Sequence, residues 1–544
     1  MTSRKAVSPV ISDPLTSKQV RGHGLIRNPV KKYWSRLNFG YERTLLYMLQ
    51  QTEYNAHEYF AWLCRVKDFR TVRKRGDMVP TMKVRLLFNA LALFVLIYIT
   101  IIFWIVIVFN QLWLYGLALI LFLILPVIAQ YVIVLPLILG DILIKKPLAK
   151  KRIAQAKEIL KNHKCYKIAI AGSFGKTTAK SVLATVLAGG KKVAATPGNI
   201  NQPLGFAKFI EKLTGDEDIL IFEFGEYRSG DIMEMCDFIQ PDAGFITGIN
   251  DAHLENFASR EESTKNILDL QKYIESSRPS FAGLSGESSK TRTVVASVAK
   301  QSRTSQNRGL LRDKSLAMTN PSLIYLNGDS DILQKHNDKK SVLYSQNGVE
   351  NLPVKDVRVT AFGTEFTLGK MKIESGLLGR HNIGIVVAAV DFAKKLGLNE
   401  KEILAGLENL KPFEHRMQPR ILNSATIIDD TYNGNLDGVR AGIELLKELP
   451  AIRKIYVTPG LVEQGDKTKE NHHEIGEMLA QAKFDKIVLM QNSVTKFIVE
   501  GLGEKFHGEL ILIDDPLNFY QNIDKFVAAG DVVLMQNDWT DNYA

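Results

Sequence analysis

Cysteine is scarce. Cys64, Cys165 and Cys236 are the three in 544 residues, far apart and odd in number. A disulfide framework and a zinc-binding spacing are thereby excluded, and a reducing, cytosolic setting fits best. The N-terminus has no early apolar core. Its first 30 residues are polar, with scattered proline, serine and basic side chains, so no cleaved signal peptide is expected and disorder is. Acidic residues are outnumbered, 58 against 69 lysines and arginines, for a formal net charge of +11. The excess is not spread evenly. It flanks apolar segments between residues 70 and 155 and recurs in a polar stretch near 286–315. That placement reads as membrane-surface chemistry, and no nucleic-acid partner is expected. At this length the chain should hold three or four structural units.

Two stretches nearly lack polar residues. Residues 84–109 and 112–139 are almost wholly apolar and are separated only by Asn110-Gln111. Each exceeds the roughly 20 residues that carry a helix across a bilayer. The flanks are basic: Arg70, Arg73, Lys74, Arg75, Lys83 and Arg85 before, Lys145, Lys146, Lys150, Lys151 and Arg152 after. This predicts a transmembrane helical hairpin over 84–140 with both termini cytoplasmic, at the inner (cytoplasmic) membrane. A basic, partly helical region, 1–83, precedes it and a linker helix, 141–165, follows. Within the first region, residues 31–67 read either as an interfacial amphipathic helix or as a helix packed on its neighbours.

Beyond the linker the periodicity changes. Residues 167–171 and 219–223 are short apolar strands, and strands alternate with helical patterns. This predicts an α/β fold: a phosphate-loop, parallel-sheet ATP-binding domain over 166–412 and a smaller Rossmann-like α/β domain over 413–544. Residues 276–322, rich in Ser, Thr, Lys and Arg, are expected to form a mobile basic insertion. Between the first strand and its helix lies Gly172-Ser173-Phe174-Gly175-Lys176-Thr177-Thr178. Glycines let backbone N–H groups turn toward phosphate oxygens, and the helix N-terminus adds partial positive charge. Lys176 can neutralise the outer phosphates of ATP and the Thr177 hydroxyl can reach Mg²⁺. Glu223, at a strand end beside this loop, is a carboxylate in the usual place for a Mg²⁺ ligand.

The shortened loop resembles that of the Mur ligase family, and further resemblances follow in order over residues 166–540. Glu223-Phe224-Gly225 resembles a Glu-x-Gly segment whose acid holds Mg²⁺. Thr247-Gly248-Ile249-Asn250-Asp251-Ala252-His253 resembles a segment whose histidine binds a second Mg²⁺. Gly379-Arg380-His381-Asn382 resembles a Gly-Arg-His-Asn box whose asparagine contacts adenine. His415-Arg416-Met417 stands where the family has Gly-Arg-Met, with an arginine near the phosphates. Asp429-Asp430-Thr431-Tyr432-Asn433-Gly434-Asn435 is similar to Asp-Asp-Ser-Tyr-Asn-Ala-Asn, characteristic of the branch that adds D-alanyl-D-alanine to a muramoyl tripeptide.

The resemblance implies an ATP- and Mg²⁺-dependent ligase of cell-wall precursor synthesis. It would activate a muramoyl-peptide-like carboxylate as an acyl phosphate and join it to an amino acid or dipeptide such as D-alanyl-D-alanine. The implied catalytic residues are Lys176, His253, Arg416 and Asp430, with Asp430 suited to a ribose or to the incoming amine. ATP would be held by residues 172–178, Asn382 and Arg416, and metal by Thr177, Glu223 and His253. Several departures stand out. Residues 1–160 hold the apolar hairpin where the family has its uridine-nucleotide domain. Ile267 falls where many members carry a carbamylated lysine, with Lys265 two positions earlier. Gly248 replaces an asparagine, and Gln536-Asn537-Asp538-Trp539 replaces a Lys-Gly-Ser-Arg-like ending. A lipid-linked or polyglutamate-like acceptor, and a membrane-anchored ATP-binding scaffold without catalysis, are the alternative readings.

Overall fold

The computed structural model describes residues 29–38, 40–52, 54–72, 78–250, 257, 259–276, 323–338, 340–432, 434–462 and 464–537. The predicted insertion lies almost wholly outside them, as do the first 28 residues. The chain divides into two compact units, one ending at Lys151 and one beginning at Arg152.

The first unit is helical. Tyr41–Gln51 buries Leu45, Leu46 and Leu49 on one side. Ala56–Arg65 starts at Asn55, whose side chain accepts from the N–H groups of His57 and Glu58, and buries Tyr59 and Leu63. An asparagine N-cap satisfies amide donors that the first helical turn leaves unpaired. These side chains form one core with Phe69, Val84, Leu87, Leu91, Ala129, Ile133 and Val134. The Tyr59 hydroxyl donates to the Gln130 carbonyl at 3.1 Å. The described residues of 31–67 thus form short helices that pack on their neighbours.

The long helices are Met82–Phe109 and Leu112–Val132. Thr81 caps the first, and Asn110 ends it at φ 37°, a left-handed conformation that asparagine tolerates. Most apolar side chains along both helices face outward, Leu96, Phe103, Trp104, Leu119 and Ile120 among them. Both are long and apolar enough to cross a membrane by length and composition.

The second unit carries two sheets. The larger contains β1 (Tyr166–Ala171), β2 (Val193–Ala195), β3 (Ile219–Glu223), β4 (Ala243–Ile246), β5 (Ile324–Asn327), β6 (Ser341–Ser345), β7 (Gly348–Val349), β8 (Leu352–Thr360), β9 (Gly363–Leu368) and β10 (Met371–Ser375). Their order is β10-β9-β8-β7-β6-β5-β4-β1-β3-β2. From β2 to β6 the pairings are parallel, and from β6 to β10 they are antiparallel. Every residue of β3 and β4 is buried, as continuous apolar runs covered on both faces require. One face packs on helices Lys176–Leu187 and Ile383–Lys395, the other on Asp231–Ile239 and Arg260–Ser276. The helix Lys146–Asn162 contributes Ala156 and Leu160 to that second core.

The smaller sheet contains β11 (Gln418–Leu422), β12 (Ala425–Asp430), β13 (Arg453–Thr458), β14 (Lys486–Met490), β15 (Glu509–Ile513) and β16 (Asp531–Gln536), ordered β11-β12-β16-β13-β14-β15. Only β11 is antiparallel to its neighbour. In open parallel sheets ligands gather beyond the carboxyl ends of the strands. Gly172, Glu223, Thr247, Asp430 and Gln536 all stand at such ends.

Candidate active site

The phosphate loop folds as it does because two of its glycines cannot be replaced. Gly172 sits at φ 137°, and a Cβ there would lie 2.5 Å from Thr247 Oγ1 and 2.9 Å from the Gly248 carbonyl. Gly175 sits at φ 76° as the N-cap of Lys176–Leu187. The Ser173 amide donates to the Gly248 carbonyl at 2.8 Å, tying the loop to the end of β4.

At the start of that helix lies a buried polar cluster. Lys176 Nζ donates to the Gly172 carbonyl and lies 3.4 Å from Glu226 Oε1. The Thr177 hydroxyl donates to Glu223 Oε1 at 3.0 Å. Lys180 Nζ is 2.8 Å from Glu223 Oε2. Glu226 is 2 % exposed. Burial pushes its carboxyl up to about 7, against the pull of Lys176. Its Oε2 and the Ser173 hydroxyl have no hydrogen-bond partner among the described residues.

A cleft of about 1050 Å³ opens between the two sheets' domains. Phe174, Gly175 and Thr178 line it from the phosphate loop, Asn382 from the end of the larger domain, and Arg416 and Asp430 from the smaller. Asn382 Nδ2 donates to the Leu378 carbonyl at 2.7 Å. The Arg416 guanidinium lies over the Tyr432 ring, 4.5 Å from its centroid. Asp430 accepts from Gln536 Nε2 at 2.8 Å and from the Met417 amide at 3.2 Å. Burial nevertheless pushes its carboxyl up to about 7, with Asp429 beside it adding to the effect. Arg380 and Glu448 form a 2.6 Å ion pair across the domain boundary, and Asn250 Nδ2 donates to Asp437 Oδ2 at 3.1 Å.

Residues 170–305 match the Mur ligase middle domain, and residues 415–536 match the Mur ligase glutamate ligase domain. The UDP-N-acetylmuramoyl-tripeptide–D-alanyl-D-alanine ligase of Escherichia coli K12 is 27% identical over 354 residues, 64% of this chain and 69% of that protein. Its Bacillus subtilis 168 counterpart is 24% identical over 374 residues, 68% and 72% of the two chains. The chain belongs to the Mur ligase family. Among solved structures, MurF ligase from Thermotoga maritima in complex with ADP aligns with this Mur ligase at a TM-score of 0.56 and 24% identity, covering 72% of this chain and 80% of that one. MurF from Acinetobacter baumannii aligns at 0.55 and 21%, over 72% and 76%. Both are likenesses of fold.

Of the residues singled out from the sequence of this Mur ligase, two groups come together. Lys176, Thr177 and Glu223 share the buried cluster, and Phe174, Gly175, Thr178, Asn382, Arg416 and Asp430 share the cleft. Gly172 and Ser173 shape the loop from behind. His253 lies outside the described residues. Lys265 is exposed, and Ile267, at the position of the family's modified lysine, is fully buried. Among the described residues no three His, Cys, Asp or Glu side chains converge on one point as a metal cage. The Thr177 hydroxyl and Glu223 carboxylate do fit Mg²⁺, a hard cation usually held by one or two protein oxygens with phosphate and water completing its shell.

Lys180 and Glu226 belong to the cluster too, and the sequence reading misses both. Lys180 follows Lys176 by one helical turn, a spacing that puts both on one face. Glu226 follows a glycine in a polar loop and carries no local signal. Two departures from the family pattern have steric causes. A Cβ on Gly248 would stand 2.3 Å from the Phe174 ring, and one on Gly434 would stand 1.4 Å from Asn537 Oδ1. His415, at φ 57°, occupies the left-handed conformation for which the family's glycine is suited, and its Nδ1 lies 3.0 Å from Asp429 Oδ2.

Proposed function

We propose that this Mur ligase joins D-alanyl-D-alanine to the carboxylate of a muramoyl-tripeptide-type acceptor, driven by conversion of ATP to ADP and phosphate. That substrate pairing is the one named in its E. coli and B. subtilis relatives. The observation that carries the reading is the cleft in which the phosphate loop meets Asn382, Arg416 and Asp430.

The chemistry is written on these residues. An acceptor carboxylate oxygen attacks the γ-phosphorus and ADP leaves, giving an acyl phosphate. Lys176 and the loop amides bear on the charge that develops on the transferred phosphoryl oxygens, and Arg416 approaches the same space from the smaller domain. The amine nitrogen then attacks the acyl carbon, phosphate departs with the C–O electron pair, and the ammonium proton passes to the Asp430 carboxylate. Thr177 and Glu223 would hold Mg²⁺, which when bound neutralises phosphate charge. Asn382, which lines the cleft, would contact the adenine, as the family resemblance implies.

The apolar hairpin supports a position at the cytoplasmic face of a membrane, with two helices in lipid and the ligase unit in the cytoplasm. In water these exposed side chains would form an apolar surface far larger than soluble monomers carry. The same hairpin favours a second reading in which the acceptor is itself lipid-linked. Phosphate release from ATP, measured with UDP-muramoyl tripeptide with and without D-alanyl-D-alanine, tests both. Release that requires the pair and yields a new amide supports the first; release only with a membrane-borne acceptor supports the second. No amide with either acceptor refutes the ligase assignment.

A further inference from the structure

Asp430 and Gln536 end the neighbouring parallel strands β12 and β16 in direct register. Gln536 is 1 % exposed, and all its polar atoms are placed. Its Nε2 donates to Asp430 Oδ2 at 2.8 Å and to the Gly438 carbonyl at 2.8 Å, and the Tyr456 hydroxyl donates to its Oε1 at 2.7 Å. The amide has only one workable orientation. Turned over, it would set an oxygen against the Gly438 carbonyl, which cannot donate in any state, and against the Asp430 carboxyl, which can donate only when protonated. Tyr456, fully buried on β13, completes the lock. The helix Leu436–Glu448 leaves a slot for the side chain at Gly442, where a Cβ would come within 2.4 Å of Gln536 Nε2.

Asp430 lines the cleft and Gln536 does not. The charged and titratable groups facing Asp430 are the Arg416 guanidinium, the Asp429 carboxylate on the same strand and the Tyr456 phenol. Gln536, 2.8 Å from Asp430 Oδ2, brings a donor without a charge. A cation in its place would hold Asp430 permanently ionised by a desolvated ion pair. A neutral donor fixes the carboxyl's direction and still lets it gain and lose a proton.

We propose that Gln536 is a positioning residue for amide formation: locked by Tyr456, it aims the Asp430 carboxyl into the cleft and keeps it able to accept the proton of the incoming amine. This rests on the proton-acceptor role given to Asp430 above. Burial raises Asp430 to about 7, which suits exchange of a proton near neutral pH.

The test separates the two claims. Melting temperatures of the full chain in detergent are measured against pH for wild type and D430N, and again for each in the Q536K and Q536M backgrounds. The D430N advantage grows as pH rises from about 4, the unfolded aspartate value, and levels off at the folded pKa of Asp430, whatever the substrates. In Q536K that plateau is expected about one to three pH units lower; in Q536M, which removes the donor but little volume, it is expected higher. The acid limb of kcat should move with it, with KM for ATP unchanged and kcat in Q536M down about tenfold. Plateaus that coincide in all three backgrounds overturn the positioning role. Full turnover in D430N overturns the proton-acceptor role instead, while the melting curves still report on Gln536.

Discussion

Gly434 and Asn537 make a reciprocal fit that a double-mutant cycle can measure. A Cβ on residue 434 would stand 1.4 Å from Asn537 Oδ1, less than half of any tolerable contact. Asn537 is 3 % exposed and has nowhere to retreat without loss. Its Nδ2 donates to Thr458 Oγ1 at 3.3 Å and its amide to the Asp430 carbonyl at 3.0 Å. G434A should therefore cost about 1–3 kcal/mol of overpacking plus about 1 kcal/mol for a broken buried hydrogen bond. N537G alone loses the Thr458 bond, about 1 kcal/mol, and regains part of it because residue 537 sits at φ 71°, which glycine adopts freely. In the double variant the methyl introduced at position 434 occupies space the asparagine has vacated, so G434A should be nearly free of cost there. The expected coupling is about 2 kcal/mol or more, well above the error of additivity for independent sites. Amide hydrogen exchange of β12 and β16, read in the full chain in detergent, should accelerate about thirtyfold in G434A and return most of the way in G434A/N537G. Exchange as fast in the double variant as in G434A would refute the interlock.

Further outcomes are expected at the site and at the membrane. K176A should abolish ATP turnover while leaving the melting transition within a few degrees, because the side chain's polar contacts are with Gly172 and Glu226; full turnover in K176A would remove the phosphate loop from the reaction. E226Q should bind a non-hydrolysable ATP analogue about tenfold more tightly at pH 8, since it removes a buried negative charge beside the triphosphate. That gain should fade below pH 7, where the wild-type carboxyl is already protonated, and calorimetry showing equal affinities at pH 8 would contradict it. The raised pKa of Glu226 and Asp430 also sets a stability trend: each contributes stability that is complete below about pH 4 and is lost as pH rises through about 7. E226Q and D430N should accordingly melt higher than wild type at pH 8 and converge with it near pH 4. Finally, the full chain should resist alkaline extraction from membranes, whereas a chain beginning at Leu148 should be recovered in the aqueous fraction; equal recovery in both would refute the membrane anchor.

The parts that can be read from the sequence are those whose physics is local. A buried parallel strand is a run such as residues 219–222, and a phosphate loop is a short glycine-bearing turn between strand and helix. The apolar hairpin announces itself by length alone. The antiparallel extension from β7 to β10 is harder to read in this way, because the alternation in β8 (Leu352, Val354, then Val357, Val359) slips by one residue at the bulge around Asp356 and only Val359 is buried. Glu226 is hidden for a related reason: an acid after a glycine in a polar loop looks like surface, and only the fold buries it beside Lys176. Gln536 shows in the sequence only as a departure from a motif. Its partners, Asp430 and Tyr456, lie 106 and 80 residues away, and no local pattern encodes such a meeting.

The departures themselves weigh on the choice between a working ligase and an inert ATP-binding scaffold. A site released from use accumulates exchanges that nothing in the neighbouring structure answers. Here the exchanges come matched across space. Where the family has an asparagine after Thr247, Gly248 leaves room for the Phe174 ring. Where it has an alanine, Gly434 leaves room for Asn537, itself standing where a glycine would otherwise supply the positive φ. Where it ends in lysine, Gln536 is received by Tyr456, Gly438 and the open flank of Gly442. Gly248, Gly434 and Gly442 each leave space that a neighbouring side chain fills, and Gln536 has its full set of hydrogen bonds, whereas the buried Asn537 Oδ1 has no partner among the described residues. Such pairing is what selection for a precise geometry leaves behind. It favours an active ligase refitted around the phosphate loop and Asp430, and it directs the search for an altered substrate to the carboxyl ends of β12 and β16.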